Sequence, residues 1–408
     1  MKYVLLTHIP TFAGQSSGVI RWSTEWEADL SAQVAALREV GFDVTVATPL
    51  LPAPDSQTLA KQALVDVTLK KQDFTYQPLP GYRTMTQFVT HRPALRRAIR
   101  ALIKDADIVQ LGAGGHPISL GQVAWPIVKR AGRKCIFVFS DDPIPAWRRY
   151  AETGRNPAKR LAKSMAIKRL ERFCATAVRE ADLVFAHSPE VQDRFGRAWS
   201  ETCHTFAPTR LRDSQIGKAR VTPDKNRPLR VVTIGSAGFT RGVDHLLRAL
   251  AKARRLNAKI ELDLVGDVTG SAELMNLLRD QRLEPAIRLH GRLSGPKLTA
   301  VLDQADVLAA CELIPAIDPI IYLAIARGLP ILTYQSGVLD QRLTDHGAGI
   351  VIPRGETDLF AQALLDLATK TAGAAAMSQR AIDLASEKTL DAVHRTRAGL
   401  ARSLIKRK

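Results

Sequence analysis

The stretch ADVLAACELIPAIDPIIYLAIARGLPILTY, residues 305–334, decides the fold. Its apolar spacing predicts a short buried strand over Asp306–Ala310, then a loop, a helix and a second strand. Gly328 suits the end of that helix, and Pro330 cannot continue one. In a parallel sheet, ligands gather where the carboxyl ends of strands meet the N-termini of helices. The loop over 311–319 is therefore a candidate ligand site, and a plain buried βαβ unit is the alternative.

Length and composition narrow the class of protein. The chain has 408 residues, 46% of them apolar, and four cysteines. That length favours two domains. The cysteines form no CxxC pair, which argues against a zinc site or a disulfide framework and fits a reducing compartment. The N-terminus lacks the apolar run of a signal peptide, and no segment of about 18 uncharged apolar residues is present. We therefore expect a cytoplasmic protein that is soluble or lies on a membrane without crossing it.

The positive charge is unevenly distributed. The formal net charge is +18, and residues 92–172 hold 18 Lys and Arg against 6 Asp and Glu, a net of +12 (18 − 6). Such clustering predicts an anionic partner. A basic helix predicted over 156–180 is typical of a membrane-surface element, although a core-facing helix with a basic outer face has the same pattern. No aromatic-rich basic recognition module is present, so we expect no nucleic-acid partner.

The first strand leads into a loop that contains glycines. A strand over Lys2–Thr7 precedes Gly14, Ser17 and Gly18, and a helix follows. The glycines are too sparse for a dinucleotide fingerprint or a P-loop. Such a loop can still bring backbone N–H groups against a ligand, so these three residues are candidate ligand-binding residues.

Two adjacent carboxylates follow a later buried strand. The strand over Lys134–Phe139 ends in Ser-Asp-Asp-Pro, which places Asp141 and Asp142 where an α/β fold carries its chemistry. Either carboxylate can act as a general base on a sugar hydroxyl within hydrogen-bond reach. Helix capping or a solvated turn is the alternative.

Strands and helices alternate in two successive runs. This pattern predicts an α/β protein with two doubly wound Rossmann-like domains. The polar, proline-containing segment 220–230 is the predicted linker. We expect an N-terminal domain over 1–219, a C-terminal domain over 231–385, and a C-terminal helix over 386–408 that packs back toward the first domain.

The order and spacing of these segments resemble the GT-B glycosyltransferases, in particular the family 4-like group of bacterial enzymes that build polysaccharides and lipid-linked sugars. The second half resembles their donor domain in VVTIGSAGFTRGVDHLLRAL (231–250), LDLVGD (262–267), IRLHGRLSGPKLTAVLDQADV (287–307), LAIARGLPIL (323–332) and HGAGIVIPRGETDLFAQALLDL (346–367). The first half resembles their acceptor domain in GFDVTVATP (41–49) and ADLVFAHSPEVQDRF (181–195). The resemblance implies two Rossmann-like domains facing a cleft, with the donor bound by the second.

The family's usual pair of glutamates is absent. Counting back from Gly328, their positions fall on Leu323 and Pro315. The nearest carboxylates are Glu312 and Asp318, which substitute for the pair only if the loop is rearranged.

Two further differences from the family's usual pattern concern the basic residues that hold the donor diphosphate and the residue that acts as the base. The basic pair that holds the donor diphosphate in the family falls on Ser236 and Arg241, so half of it is present. The segment KCIFVFSDD (134–142) resembles the strand-and-aspartate pattern of membrane-associated glucuronosyltransferases, in which the aspartate is the base.

The resemblance implies a glycosyltransferase that moves a sugar from a nucleotide-sugar donor to a lipid-linked or polysaccharide acceptor at the cytoplasmic face of the membrane. The expected donor-binding residues are Gly235, Ser236, Arg241, Gly266, Arg292, Glu312, Asp318 and Tyr322, and Asp141 or Asp142 is the expected base. The basic region 92–172 would bind anionic lipid. No DxD motif suited to a metal is present, so we expect no metal and no cofactor besides the nucleotide-sugar co-substrate.

The missing glutamates leave a second hypothesis open. A catalytically inactive GT-B protein would act as the partner or scaffold of an active transferase. A nucleotide-sugar epimerase on the same fold is a further alternative, but it normally needs several carboxylates facing the cleft. Saturable binding of a sugar nucleotide favours the enzyme over the scaffold.

Overall fold

The computed structural model divides the chain into two compact units, residues 1–208 with 393–408, and residues 209–392. The structure describes residues 1–9, 11–54, 64–114, 119–139, 144, 157–186, 202–206, 209–220, 226–235, 242–267, 271–312, 319–335, 340–369 and 373–406. The division falls upstream of the segment 220–230, and residues 209–220 belong by their contacts to the second unit.

The first unit contains one mixed sheet. Its described strands are β1 (Lys2–Leu6), β2 (Thr11–Ala13), β3 (Val19–Ser23), β4 (Asp43–Leu51), β5 (Leu64–Thr68), β6 (Thr75–Pro80), β7 (Ile108–Gly112), β8 (Lys134–Phe139), β9 (Leu183–Ala186) and β10 (Cys203–Thr205). The strand order is β10-β9-β8-β7-β1-β4-β2-β3-β5, and β6 also pairs with β4. Parallel pairing extends from β10 to β4, whereas β2–β3 and β3–β5 are antiparallel. The parallel part is the predicted Rossmann-like sheet.

Helices cover both faces of this sheet. The described helices are α1 (Thr24–Glu39), α2 (Met85–Leu102), α3 (Leu120–Arg130), α4 (Pro157–Glu180) and, from its residue 393 onward, α12 (Leu390–Lys406). Alternate side chains of β1 point to opposite faces. Val4 and Leu6 pack in a cluster with residues of α2, α3 and α4. Tyr3 and Leu5 pack in another cluster with residues of α1 and α12. Burial on both faces makes these strands continuously apolar in sequence.

The predicted glycine loop is a β-hairpin, which corrects the expectation that it leads directly into a helix. β2 and β3 pair antiparallel, with Phe12 opposite Arg21. The N–H of Gly14 donates to the carbonyl of Val19 at 3.0 Å, and the carbonyl of Gly18 accepts from the N–H of Leu69 at 2.9 Å. Gly14, Ser17 and Gly18 therefore lie in the turn that joins two strands.

The second unit contains a fully parallel sheet with helices on both sides. Its strands are β11 (Leu229–Ile234), β12 (Ile260–Val265), β13 (Ile287–Gly291), β14 (Val307–Ala310), β15 (Ile331–Tyr334) and β16 (Gly349–Ile352), in the order β13-β12-β11-β14-β15-β16. Its described helices are α5 (Val243–Arg255), α6 (Ala272–Asp280), α7 (Gly295–Gln304), α8 (Pro319–Ala326), α9 (Asp340–His346), α10 (Thr357–Thr369) and α11 (Ala374–Ser386).

Within residues 305–334, β14, α8 and β15 follow one another in the predicted order. All four residues of β14 and all four of β15 are buried, as expected for central parallel strands. Gly328 has a φ of +70° just beyond α8, which is the left-handed conformation that ends a helix. The prediction of two doubly wound α/β domains is confirmed.

Candidate functional site

The carboxyl edge of the second unit's parallel sheet brings together four of the five described donor-site candidates. Gly235 follows β11, Gly266 follows β12, Arg292 follows β13 and Glu312 lies just beyond β14. Parallel strands end at one edge, so residues far apart in sequence come together there. This edge is where open α/β sheets bind ligands.

Two glycines let loops of this edge approach one another closely. A Cβ on Gly266 would lie 1.6 Å from the carbonyl oxygen of Gly235. A Cβ on Gly242, which precedes α5, would lie 1.9 Å from the carbonyl oxygen of Cys311. Only a residue without a side chain fits such positions. The sequence prediction included Gly266 but missed Gly242, although a glycine directly before a helix marked it.

The backbone donors of the two predicted glycines are used within the sheet. The N–H of Gly235 donates to the carbonyl of Val265 at 2.9 Å, and the N–H of Gly266 donates to the carbonyl of Gly291 at 2.7 Å. The N–H of Gly235 is therefore engaged within the sheet, and the predicted contact of this residue with the donor stays a prediction. Its role at the edge is close packing against Gly266.

The remaining candidates fall in different surroundings. Arg292 is exposed and Glu312 is half-buried. Tyr322 is 2% exposed within α8, and burial raises its pKa while a hydrogen bond from Arg342 lowers it. Its predicted contact with the donor stays a prediction. Ser236, Arg241, Asp318, Asp141 and Asp142 lie outside the described residues.

The structure shows a polar cluster at the same edge that the sequence analysis did not predict. Nδ1 of His245 lies 3.1 Å from Oγ1 of Thr357 and 3.4 Å from the hydroxyl of Tyr334. The three residues come from the starts of α5 and α10 and from the end of β15. Their separation in sequence hides the cluster, since only the parallel sheet brings the three segments together.

Two ionisable groups at this cluster are buried: Tyr334, which belongs to it, and the neighbouring Cys311. Burial raises the pKa of the Cys311 thiol, and the charges of Glu312 and Asp244 raise it further. Burial also raises the pKa of Tyr334, while its hydrogen bond with Thr357 lowers it. Both groups are therefore neutral near pH 7. Asp244 is paired with Arg248 at 2.8 Å.

Metal ligands do not cluster in the described part of the chain. Among those residues, no group of three or more His, Cys, Asp or Glu side chains is arranged to hold a metal ion. His290 and Asp263, 2.7 Å apart on neighbouring strands, form a pair only.

Comparison with known proteins defines the class. Residues 228–370 match the family model described as glycosyl transferases group 1, and residues 31–202 match the model described as glycosyltransferase family 4. These matches, on the two units described above, define a glycosyltransferase of the GT-B class. The chain belongs to the family 4-like glycosyltransferases of that class. No curated protein sequence matches the chain at a significant level.

Solved structures share this fold at low sequence identity. HepE from Anabaena, crystallised with UDP, has a TM-score of 0.60 and 16% identity, over 99% of this chain and all of its own. The lipopolysaccharide outer core galactosyltransferase WaaB has a TM-score of 0.59 and 14% identity over the whole of both chains. WaaG, a glycosyltransferase of lipopolysaccharide biosynthesis, has a TM-score of 0.53 and 14% identity, over 97% of this chain and 98% of its own.

Proposed function

We propose that this glycosyltransferase uses a nucleotide-sugar donor and transfers the sugar to a lipid-linked or polysaccharide acceptor at the inner face of the cell membrane. The observation that carries the donor assignment is the carboxyl edge of the second sheet, where Gly235 and Gly266 pack tightly after β11 and β12, and Arg292 and Glu312 follow β13 and β14. HepE has been crystallised with both UDP and UDP-glucose, which supports a nucleotide-sugar donor for a chain of the same fold. WaaG and WaaB act in lipopolysaccharide synthesis, which supports an acceptor of that general kind.

Isothermal titration calorimetry tests the donor assignment. The purified chain is titrated with UDP-glucose, UDP-galactose, GDP-mannose and ADP-glucose. We expect saturable binding of one nucleotide class and reduced affinity in the Arg292→Gln variant, since an exposed guanidinium offers charge-assisted hydrogen bonds to a nucleotide. Arg279→Gln, on the exposed surface of α6, is the matched control. Absence of binding across the panel would overturn the donor assignment and favour the inactive scaffold.

The base is proposed at Asp141, with Asp142 as its neighbour. The support is their position directly after β8 of a parallel sheet. Incorporation of radiolabelled sugar into a lipid extract should fall by at least about a hundredfold in Asp141→Asn, because general-base catalysis contributes about 10²–10⁴-fold. Asp105→Asn, an exposed position after α2, is the control. Near-normal incorporation by Asp141→Asn would remove that residue as the base.

Membrane association is proposed through α2 and α4 of the first unit. Helix α2 contains no acidic residue and four arginines: Arg92, Arg96, Arg97 and Arg100. None of these four forms an ion pair with another residue that the structure describes. Their charge is therefore available to anionic headgroups, at about 1 kcal/mol for each residue near the surface.

Exposed apolar side chains accompany the basic ones on both helices. In α2, Met85 is 48% exposed and Val89 is 61% exposed; in α4, Leu161 is 65% exposed and Met165 is 53% exposed. Each pair is four residues apart and so lies on one face of its helix. Three basic residues farther along α4 are also exposed: Lys168, Arg169 and Arg172. Apolar residues beside basic ones are typical of helices that lie in the membrane interface. No helix among the described residues has the length and apolarity that a membrane span requires.

Vesicle co-sedimentation tests the membrane assignment. The chain should bind vesicles containing phosphatidylglycerol but not pure phosphatidylcholine, and binding should weaken as salt rises. Replacing the four α2 arginines by Gln should weaken binding by about a hundredfold or more, since about 1 kcal/mol is lost at each. A control variant neutralises four exposed positions of the second unit: Lys259, Arg279, Arg282 and Lys297. Equal loss in both variants would overturn the assignment to α2, and no binding at low salt would overturn membrane association.

A further inference from the structure

His245 lies at the proposed donor edge in a fixed orientation. It is the third residue of α5, and its Nδ1 contacts the first residue of α10, Thr357, at 3.1 Å. The ring also stands perpendicular to that of Tyr334, with 5.9 Å between the ring centres. Tyr334 is 1% exposed and packs against Phe360, so the platform that holds the imidazole is rigid.

The contacts of the cluster indicate which imidazole nitrogen is left for a ligand. Nδ1 faces two hydroxyls, Oγ1 of Thr357 at 3.1 Å and that of Tyr334 at 3.4 Å. Nε2 has no hydrogen-bond partner within the part of the chain that the structure describes. A protonated imidazole carries an N–H on both nitrogens, so it can contact the cluster at Nδ1 and still donate from Nε2 to an anion.

The groups around His245 supply no fixed anionic partner for its ring. Asp244 is adjacent but is paired with Arg248 at 2.8 Å. Glu356 precedes Thr357 and is exposed, and the Cys311 thiol and Tyr334 hydroxyl are kept neutral by burial. The first turn of a helix favours an anion nearby. An anionic ligand at this edge would therefore supply the opposite charge that the described neighbours of the ring do not.

We propose that His245 is a positioning residue of the donor site, whose protonated Nε2–H binds the pyrophosphate of the nucleotide sugar. This inference rests on the proposed function. Proton uptake accompanies donor binding: the imidazole gains a proton from solvent at Nε2, and no covalent bond to the ligand forms. Affinity for the donor then rises as the pH falls through the range in which imidazole titrates.

A purely architectural His245 would join α5 to α10 and have no such effect. In that case a substitution changes thermal stability and leaves the pH dependence of binding unaltered. The two roles therefore predict different results in a pH series.

The experiment measures Kd for the nucleotide sugar that binds in the panel above, at several pH values from 5.5 to 8.0. Nucleotide sugars are suitable probes because their pyrophosphate diester keeps its charge over this range. Titrations in two buffers of different ionisation enthalpy report the protons taken up. Variants are His245→Gln, which is always neutral, Thr357→Val, which removes a hydroxyl that faces Nδ1, and His346→Gln as a control at another half-buried histidine of the same unit.

We expect the wild-type chain to bind more tightly at low pH with net proton uptake. His245→Gln should bind about tenfold to a hundredfold more weakly at pH 5.5 and lose the pH dependence, because a charge-assisted hydrogen bond is removed. Unchanged affinity and unchanged proton uptake in a folded His245→Gln variant would overturn this inference alone. Failure of the wild-type chain to bind any nucleotide sugar would overturn the proposed donor site, and this inference with it.

Discussion

Gly266 faces the carbonyl oxygen of Gly235 so closely that a methyl group on its α-carbon would lie 1.6 Å from that oxygen. Gly266 also has a φ of +137°, a conformation that other residues avoid. Gly266→Ala should therefore displace the loop after β11 or the loop after β12. We expect the free energy of unfolding to fall by more than the 1–3 kcal/mol typical of backbone strain, about 3 kcal/mol or more, and nucleotide binding to be lost.

Gly295→Ala separates strain from collision. Gly295 has a φ of +55°, but a Cβ there would meet no atom within 4 Å. This control should cost only about 1 kcal/mol and leave nucleotide binding intact. Chemical denaturation gives the stabilities and calorimetry gives the affinities. Equal effects of the two substitutions would show that the close approach of Gly266 to Gly235 is unimportant.

Arg220 connects the C-terminal ends of two helices in the second unit. Its guanidinium donates to the carbonyls of Leu302 at 2.8 Å, Asp303 at 2.9 Å and Arg327 at 3.1 Å, and also to that of Ala305. Burial lowers its pKa, and the neighbouring carboxylates of Asp303 and Asp306 counteract this. A cation is favourable at the C-terminal end of a helix. Arg220→Met should destabilise the second unit by about 2–4 kcal/mol, since several carbonyls lose charged donors.

Urea denaturation followed by circular dichroism measures this effect, because all five tryptophans of the chain lie outside the second unit. Arg248→Met is the comparison, because its side chain is 52% exposed and its pair with Asp244 is an exposed i,i+4 pair. Such pairs contribute at most about 0.5 kcal/mol. A loss below about 1 kcal/mol for Arg220→Met would show that water replaces the guanidinium at these carbonyls.

The sequence predicts the parallel cores well because their signals are local. Gly328 and Pro330 mark the end of α8 within a few residues of the helix they terminate, and β14 and β15 are short apolar runs. The hairpin of β2 and β3 could not be predicted in the same way. Its outer strand pairs with β5, where Ile20 lies opposite Val67. That register is set by contacts between distant segments, which no local period records.

The candidate site likewise contains features that local sequence predicts and features that depend on distant segments. Gly266 follows a strand and precedes a helix, so its place at the carboxyl edge follows from local pattern and the rules of parallel sheets. The contact between His245 and Thr357 spans 112 residues of sequence. It depends on α5 and α10 starting side by side, which follows from strand order. Strand order is a global property that the amino-acid pattern of either helix does not contain.

The four buried cysteines provide a test of packing in both units. All four are buried. Burial raises the pKa of Cys203 to about 11, and burial together with the charge of Asp182 raises that of Cys135 to about 12. Alkylation requires the thiolate, so iodoacetamide should modify none of the four in the native protein at pH 8 and all four in urea. Rapid modification of Cys203 under native conditions would contradict its burial.

Arg397 is buried in the first unit without the hydrogen bonds that usually accompany a buried cation. It is 8% exposed, and its Nε has no hydrogen-bond partner among the described residues. Its guanidinium carbon lies 4.9 Å from the centre of the Phe185 ring. Burial lowers its pKa, whereas the proximity of Tyr3 and Asp29 raises it.

Replacing a poorly satisfied buried charge by an apolar side chain of similar length is often neutral or stabilising. We therefore expect Arg397→Met to change the free energy of unfolding by between about zero and +2 kcal/mol, with slower hydrogen exchange in α12. Arg395→Met, at an exposed position of the same helix, should stay within about 0.5 kcal/mol of the wild type. Destabilisation of Arg397→Met by about 2 kcal/mol or more would indicate that attraction to the Phe185 ring, Asp29 and Tyr3 exceeds the cost of burying the guanidinium.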